Sequence, residues 1–501
     1  MLENLLMGFQ VVLQWSNLLA LLAGTLMGYF VGAVPGLTPT VGIALLIPFT
    51  FGMDPVASIV MLVGLYMAAE YGGGITAILV NAPGTPAAAA TAFDGYPLAK
   101  QGKAGKALGI SIISSGIGAF VSSILLILFA VPLANFALQF GPPEYFALAV
   151  FGLSVVAGLS AESWLKGLLA VAMGLLVTTI GLDPITGITR YTFINDLMEG
   201  VPFVPALIGL FAVSEVLMLF EETKTGQLII EKAAGALPTL NEIKSCASTI
   251  ARGIGIGYII GMIPGAGATI ASFVSYNEAK RASKNPEKFG TGVIQGIAAS
   301  ESANNSAVAG VLVPLLTLGI PGSASAAVLI GALTIHGLQP GPLLFTKHPE
   351  VPYSVFACLL IAAPIMLSIG LGGAKLFAKV TLIPKSVLAS VVLCICFLGA
   401  YSFGNSMFPV WVAFISGIIG YVLRKFGFPT APVVLALVLG YMAESNFRRA
   451  LLMGEGSYTI FFARPLSLVI LILAVLSFGS PFVRNWLMRR AGQNVRAKQN
   501  A

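Results

Sequence analysis

The chain has 501 residues, of which 57% are hydrophobic and only 9% charged, with a net charge of +7. A soluble domain is about 25% charged, so this chain cannot clothe a water-facing surface, and a large soluble helical protein is excluded. Apolar runs of bilayer-spanning length recur and the short alternating segments of a β-barrel do not, which predicts an all-α polytopic membrane protein whose backbone amides are bonded within helices.

In chain order, the apolar runs predict helices at 10–32, 40–50 with 56–80, 108–135, 144–159, 163–181, 203–220, 250–275, 290–316, 323–337, 353–373, 386–402, 406–423, 431–446 and 466–483. Several are short, so about 12 transmembrane helices are expected, with broken or re-entrant segments among them. The first ten residues lack the basic region of a secretory signal, and the first helix is expected to stay as an anchor. Cys246, Cys358, Cys394 and Cys396 lie mostly in apolar sequence and read as packing residues. His336 and His348 are too isolated for a metal cluster. No GxSxG, Walker A or zinc-ligand spacing occurs, so neither an enzyme nor a cofactor is expected.

One phrase occurs twice. Residues 24–42 read GTLMGYFVGAVPGLTPTVG, and residues 253–271 read GIGIGYIIGMIPGAGATIA. Gly24, Gly28, Tyr29, Gly32, Pro35, Gly36 and Thr40 match Gly253, Gly257, Tyr258, Gly261, Pro264, Gly265 and Thr269 without a gap. A second Pro-Gly phrase follows each copy, NAPGTPAAA at 81–89 and GIPGSASAA at 319–327. A weaker echo pairs AESWLKGLL at 161–169 with AESNFRRALL at 443–452. The expected organisation is a first repeat at 1–220, with a motif-rich core at 20–109 and plainer helices at 110–220. A polar linker at 221–245 follows, then a second repeat at 246–483 with its core at 250–342 and plainer helices at 353–483, then a basic tail at 484–501.

Proline removes a donor and clashes with the preceding turn, and glycine admits conformations closed to other residues, so each phrase breaks a helix. A break in hydrocarbon is tolerated where protein or a polar cavity surrounds it. It exposes amides at a helix N-terminus, which suit an anion, and carbonyls at a C-terminus, which suit a small cation. Paired broken segments in two halves of an apolar chain point to a secondary transporter's binding site. The candidate substrate-binding residues are Pro35, Gly36, Thr38 and Thr40; Asn81, Pro83, Gly84 and Thr85; Pro264, Gly265, Gly267 and Thr269; and Pro321, Gly322, Ser323 and Ser325. Asn304 and Asn305, in the polar patch SESANNS at 300–306, join them. Sodium is a candidate ligand at Thr38, Thr40, Asn304 and Asn305. The glycine series 24, 28, 32 and 253, 257, 261 reads instead as small-xxx-small helix packing.

Glu70 and Glu301 lie in apolar sequence, where an ionisable group usually faces a cavity or partner. They are candidates for sodium or proton coupling, or for ordering the broken helices; at a membrane boundary they would merely be solvated. Arg252 and Lys347 could attract an anion at a mouth or mark boundaries.

Basic clusters at Lys100, Lys103 and Lys106, at Lys280, Arg281, Lys284 and Lys288, and in the tail predict a cytoplasmic C-terminus and place both loops on that side. The tail directly follows a hydrophobic span, so topology explains it better than nucleic-acid or lipid binding by a polybasic arm. The first internal cluster follows the second Pro-Gly phrase of its half, and the second follows the first phrase of its half. Equivalent loops thus carry opposite bias, as two inverted repeats would; a same-orientation repeat is the alternative. A channel is less natural from unlike helices, and a scaffold does not explain paired polar breaks.

The segments at 28–51, 71–109, 261–292 and 298–342 resemble the large membrane subunit of the tripartite tricarboxylate transporters, the TctA family, over nearly the whole chain. The resemblance implies a bacterial inner-membrane subunit for ion-coupled uptake of organic carboxylates, typically tricarboxylates such as citrate. Dicarboxylates or aromatic carboxylates are the alternative cargo. It implies a small four-helix membrane subunit and a periplasmic solute-binding protein as partners, with sodium or protons as the coupling ion. A homo-oligomer is compatible with it.

Overall fold

The computed structural model describes residues 1–158, 164–183, 185–221 and 236–479. Part of the expected linker, all of the basic tail and residues 161–163 of the weaker echo lie outside the described residues. The chain forms a helical membrane protein; among the described residues seven helices are long and apolar enough to cross a bilayer, and there are further shorter apolar ones. The first part runs α1 (Leu2–Val12), α2 (Trp15–Ala33), α3 (Pro39–Thr50), α4 (Pro55–Val80), α5 (Ala88–Leu98), α6 (Ala104–Ala137), α7 (Pro142–Gly158) and α8 (Trp164–Thr178). A two-residue ladder, Gly181–Leu182 with Thr189–Arg190, precedes α9 (Phe203–Leu207) and α10 (Ser214–Glu221), which a π-helical turn joins. Then follow α11 (Leu240–Gly261), α12 (Gly267–Ala282), α13 (Ile294–Leu318), α14 (Ala324–Ile335), α15 (Leu344–Lys347), α16 (Glu350–Ala378), α17 (Lys385–Ser402), α18 (Met407–Lys425), α19 (Thr430–Met453) and α20 (Ile460–Ala463).

Two departures from the periodicity have local causes. The span expected at 250–275 is broken between α11 and α12 at Met262–Ala266, where Pro264 lies and Gly265 adopts a left-handed φ of 78°. The stretch 240–245, read as linker, is the first turns of α11, because Thr239 and Glu242 close a reciprocal capping box there.

The described residues fall into two compact units, one within 1–138 and 202–421 and the other within 139–201 and 422–479. Each draws on both halves of the chain. In the smaller unit α19 packs on α7 and α8. Its exposed turn is tied down by charge: Arg190 binds Glu444 through both terminal guanidinium nitrogens at 2.5 and 3.2 Å, and Arg448 reaches Asp183 at 2.5 Å and Glu444 at 3.1 Å. Glu444 and Arg448 belong to the AESNFRR echo, so this copy serves the ion-pair cluster.

The larger unit carries the repeat. Glycines 24, 28 and 32 of α2 lie against the carbonyls of Met61, Leu65 and Ala69 of α4, and no side chain would fit between. Glycines 253, 257 and 261 of α11 lie likewise against Ala299, Ala303 and Ala307 of α13. Each pair rises together, so α2 runs parallel to α4 and α11 parallel to α13. The small-xxx-small reading holds in both copies. α3 and α12 return along α4 and α13, so α2–α3 and α11–α12 are hairpins whose tips are the first and third Pro-Gly phrases.

Contacts between halves are reciprocal. α4 packs on α16 as α13 packs on α6, and α3 packs on α14 as α12 packs on α5. That is the mark of an internal two-fold. Asn305 contacts the Met67 carbonyl at 3.5 Å, Asn304 the Glu70 carbonyl at 3.0 Å, and Gly74 lies at Glu301. As one number rises the other falls, so α4 and α13 cross antiparallel. The halves are therefore inverted repeats, with the axis perpendicular to the central helices. The two internal basic loops meet at one end of this unit, where Gln101 donates to the Thr291 carbonyl at 2.7 Å.

Candidate functional site

The four breaks converge. After α4 the chain turns at Asn81, whose left-handed φ of 55° ends the helix, and folds back along it until the Gly84 amide donates to the Gly73 carbonyl at 3.2 Å. Only then does α5 begin. Gly84 sits against the Gly32 carbonyl and the Gly73 Cα, and Gly322 sits against the Gly261 carbonyl and the Val311 Cα. These are equivalent positions of the two repeats, so the breaks share one construction. Gly265 donates to the Gly322 carbonyl at 2.9 Å. Across the halves, the first break meets the fourth through Thr40 and Ser325, whose hydroxyls are 2.9 Å apart. The second meets the third where Ala87 packs on Ala268 and Ala271.

Helices α3, α5, α12 and α14 all start at these tips, and α2 and α11 end there. Three of the four starts have hydroxyl caps: Thr38 accepts from the Val41 amide, Thr85 from Ala88 and Ser323 from Ala326, at 3.2–3.4 Å. The position equivalent to Thr38 is Gly267, so the third start has no such hydroxyl. Pro35, Gly36, Pro83, Thr269 and Thr38 are half-buried at or beside the tips, and Pro264, Pro321 and Gly322 are buried. Asn81 is exposed at the end of α4 and acts as its cap.

The membrane-boundary reading of the two glutamates is overturned. Glu301 is 0% exposed and Glu70 6%. They do different work. Glu301 accepts hydroxyls from Thr91 of α5 at 2.6 Å and Ser115 of α6 at 2.7 Å, and Thr91 also meets Ser300 at 3.0 Å. Gly74 of α4 lies 2.6 Å from the same carboxylate, measured from where its Cβ would stand. Glu301 thus knits four helices. Glu70 Oε2 has no hydrogen-bond partner, and neither do Asn304 Oδ1 and Asn305 Oδ1. The two asparagines spend their amide hydrogens on α4: Asn304 binds the Glu70 carbonyl, and Asn305 is shared between the Met67 carbonyl and the Met366 sulfur at 3.3 Å. What remains unpaired among these three residues is acceptor oxygen.

Several neighbours escape sequence reading. Tyr66, the equivalent of Asn304, meets the Ser323 hydroxyl at 3.2 Å. Thr91 and Ser115 hold Glu301, and Glu215 of α10 approaches the Gly36 tip. Glu215 had a signal, being an acid within the apolar run 203–220; the hydroxyls had none. Arg252 pairs with Glu278 at 3.4 Å, and Lys347 is exposed beyond α14. Cys394 is exposed while the other three cysteines are buried, so it is not interior packing. A groove of about 500 Å³ beside the first hairpin, between Met27, Phe30, Leu45 and Val391, is lined by apolar residues alone and has nothing to recognise an anion. No group of metal-ligating residues occurs among the described residues.

Residues 18–435 match the family described as the tripartite tricarboxylate transporter TctA family. An uncharacterized 52.8 kDa protein in the TAR-I ttuC' 3' region of Agrobacterium vitis is 37% identical over 476 residues, covering 95% of each chain. An uncharacterized protein in the TAR-II ttuC' 3' region of the same organism is 38% identical over 227 residues, covering 44% of this chain and 94% of that one. No solved structure matches.

Proposed function

The chain belongs to the tripartite tricarboxylate transporter TctA family, and on that premise we propose that it imports organic carboxylates, with tricarboxylates such as citrate as the expected cargo, by ion-coupled alternating access. It is a membrane transporter subunit; its cargo, coupling ion and delivery are the proposal. The observation that carries it is the meeting of four helix N-termini, those of α3, α5, α12 and α14, around Thr40, Ser323 and Ser325. Each N-terminus presents backbone amides and a positive dipole end to an anion. A polycarboxylate held this way is bound through preorganised donors.

The opposite chemistry supports a cation beside the anion. Glu70 Oε2, Asn304 Oδ1 and Asn305 Oδ1 are buried acceptors without donors, and α2 and α11 turn their carbonyl ends to the same tips. Sodium at these oxygens, or at the hydroxyls of Thr38 and Thr40, would offset substrate charge in a low-dielectric interior. Glu301, with a hydroxyl bonded to each of its oxygens, is assigned to ordering the helices. The family's tripartite character supports a small membrane subunit and a periplasmic binding protein as partners, in a bacterial inner membrane. The basic loops at one end of the larger unit support a cytoplasmic placement of that end and of the C-terminus.

Proteoliposomes holding the chain with its small subunit and binding protein, given sodium and proton gradients separately, test the reading. Carboxylate uptake driven by the sodium gradient is expected. Uptake driven by the pH gradient alone would transfer coupling to a proton at Glu70, and uptake indifferent to both would remove ion coupling.

A further inference from the structure

The transport reading gives no role to the buried carboxylate of Asp94. Asp94 of α5 is 0% exposed. Its Oδ1 accepts the amides of Gly290, Gly292 and Val293 at 2.8–2.9 Å, and its Oδ2 accepts the Tyr276 hydroxyl of α12 at 2.9 Å. Gly290 and Gly292 reach it in left-handed conformations, with φ of 93° and 109°. A side chain at Gly292 would press on Leu98 at 3.2 Å, and one at Gly296 would strike the carboxylate itself. Around the bond, Tyr276 packs with Phe93 and Phe289, and Gln101 holds Thr291. One side chain of the first repeat thus gathers a helix and a loop of the second, at the end where the basic loops lie.

The equivalent seam, α3 on α14, is built the other way. Its counterparts of Asp94 and Tyr276 are Ala332 and Ile47. It is bonded at the tip by Thr40 with Ser325, and at its outer end only by Thr50 with His336 at 3.2 Å. The α5 and α12 seam has Ala87 opposite Thr269 at its tip, and its bonds lie at the outer end. Of the two seams related by the internal two-fold, α3 on α14 thus has a bond at its tip and one at its outer end, whereas α5 on α12 has its bonds gathered at the outer end.

We propose that Asp94 is a positioning residue of the transport cycle: it clasps α5 to α12 and the 288–293 loop, closing the tips from the face that bears Lys100 and Lys103. The clasp must open for exchange with that face. Thr91, one turn before Asp94, holds Glu301, so movement of α5 would release the clasp and disturb Glu301 together. The inference rests on the transport reading for its purpose, but its test reads access and needs no substrate.

The test uses the full chain in membrane vesicles of both orientations, with the four native cysteines replaced by serine and a reporter at Ala87→Cys. Ala87 is 1% exposed behind the seam. A membrane-impermeant thiol reagent applied to the basic-loop face should label it at least ten-fold faster when Asp94→Asn is added, with no change from the other face. Tyr276→Phe, which removes one of four bonds and leaves the carboxylate, guards against a misfolded Asp94 variant; a two- to three-fold rise from the same face is expected. Unchanged labelling in both variants overturns the proposal. So does an equal rise from both faces, which would mean general loosening. Failure of carboxylate uptake with one-sided labelling intact would instead strike the transport reading.

Discussion

Met67 and Asn305 occupy equivalent positions of the two repeats, and the Asn305 amide lies 3.5 Å from the Met67 carbonyl. A residue that touches its own counterpart stands on a two-fold axis, and because α4 and α13 cross antiparallel there, the axis lies in the plane of a membrane they span. The equivalence is of backbone, and the chemistry is unequal. Glu70 and Glu301 have Val308 and Val63 as counterparts, and Tyr66 has Asn304. The symmetric frame brings four breaks together; the departures from symmetry leave hydroxyls at the tips and unpaired acceptor oxygens on Glu70, Asn304 and Asn305.

The two glutamates should respond differently to neutralisation. Glu301→Gln leaves one acceptor where two hydroxyls now bind, and a buried polar group left unpaired costs about 1–3 kcal/mol. Glu70→Gln removes a carboxylate with an unpartnered oxygen and should hold or raise stability while cutting uptake about ten-fold or more, the cost of one lost charge-assisted contact. Thermal unfolding in detergent beside uptake in proteoliposomes separates them. Equal destabilisation by both substitutions would contradict the assignment.

At the glycine stripes, Gly28→Ala and Gly257→Ala should each cost about 1–3 kcal/mol, because a Cβ must displace a neighbouring backbone. Gly255→Ala, on the same helix as Gly257 but with nothing within 4 Å, should be neutral or gain up to about 1 kcal/mol from helix propensity. Melting temperatures of the three variants provide the check, and a harmless Gly28→Ala would mean the helices are not so closely packed.

The seam between Thr40 and Ser325 predicts coupling. Thr40→Val and Ser325→Ala should each weaken substrate affinity, and together they should cost less than their sum, by about 0.5–3 kcal/mol. Binding titrations on the two single variants and the double variant give the number. Strict additivity would show that the hydroxyls act apart.

In the smaller unit, backbone amides of Thr186 and then Ile185, with Arg448, hold the Asp183 carboxyl well below the usual carboxylate range. A depressed folded value means that its contribution is complete above the unfolded value of about 3.9 and is lost as pH falls through the folded one. Asp183→Asn should therefore lower the melting temperature at pH 7, with a gap from the parent that narrows as pH drops below about 4. A gap of constant size across that range would exclude the carboxylate's charge as the cause.

Much of this was legible because proline and glycine act locally. Pro35-Gly36 and Pro264-Gly265 announced the breaks, and the opposite charge bias of equivalent loops announced the inversion, since cations are unevenly tolerated on the two sides. Asn81 has a second role that its place beside a Pro-Gly phrase did not announce: its tolerance of the left-handed region lets it cap α4. Thr91, Ser115 and Asp94 stayed silent because their partners lie about 180–210 residues away in sequence, and such pairings come from packing, which periodicity does not report.

The most direct test of the central claim is a structure of the assembled transporter with a tricarboxylate and sodium bound. The account predicts the carboxylate within hydrogen-bond reach of the starts of α3, α5, α12 and α14, and the cation at oxygens of Glu70, Asn304 and Asn305. A carboxylate bound away from the four tips, with the tips still packed as described, would contradict it.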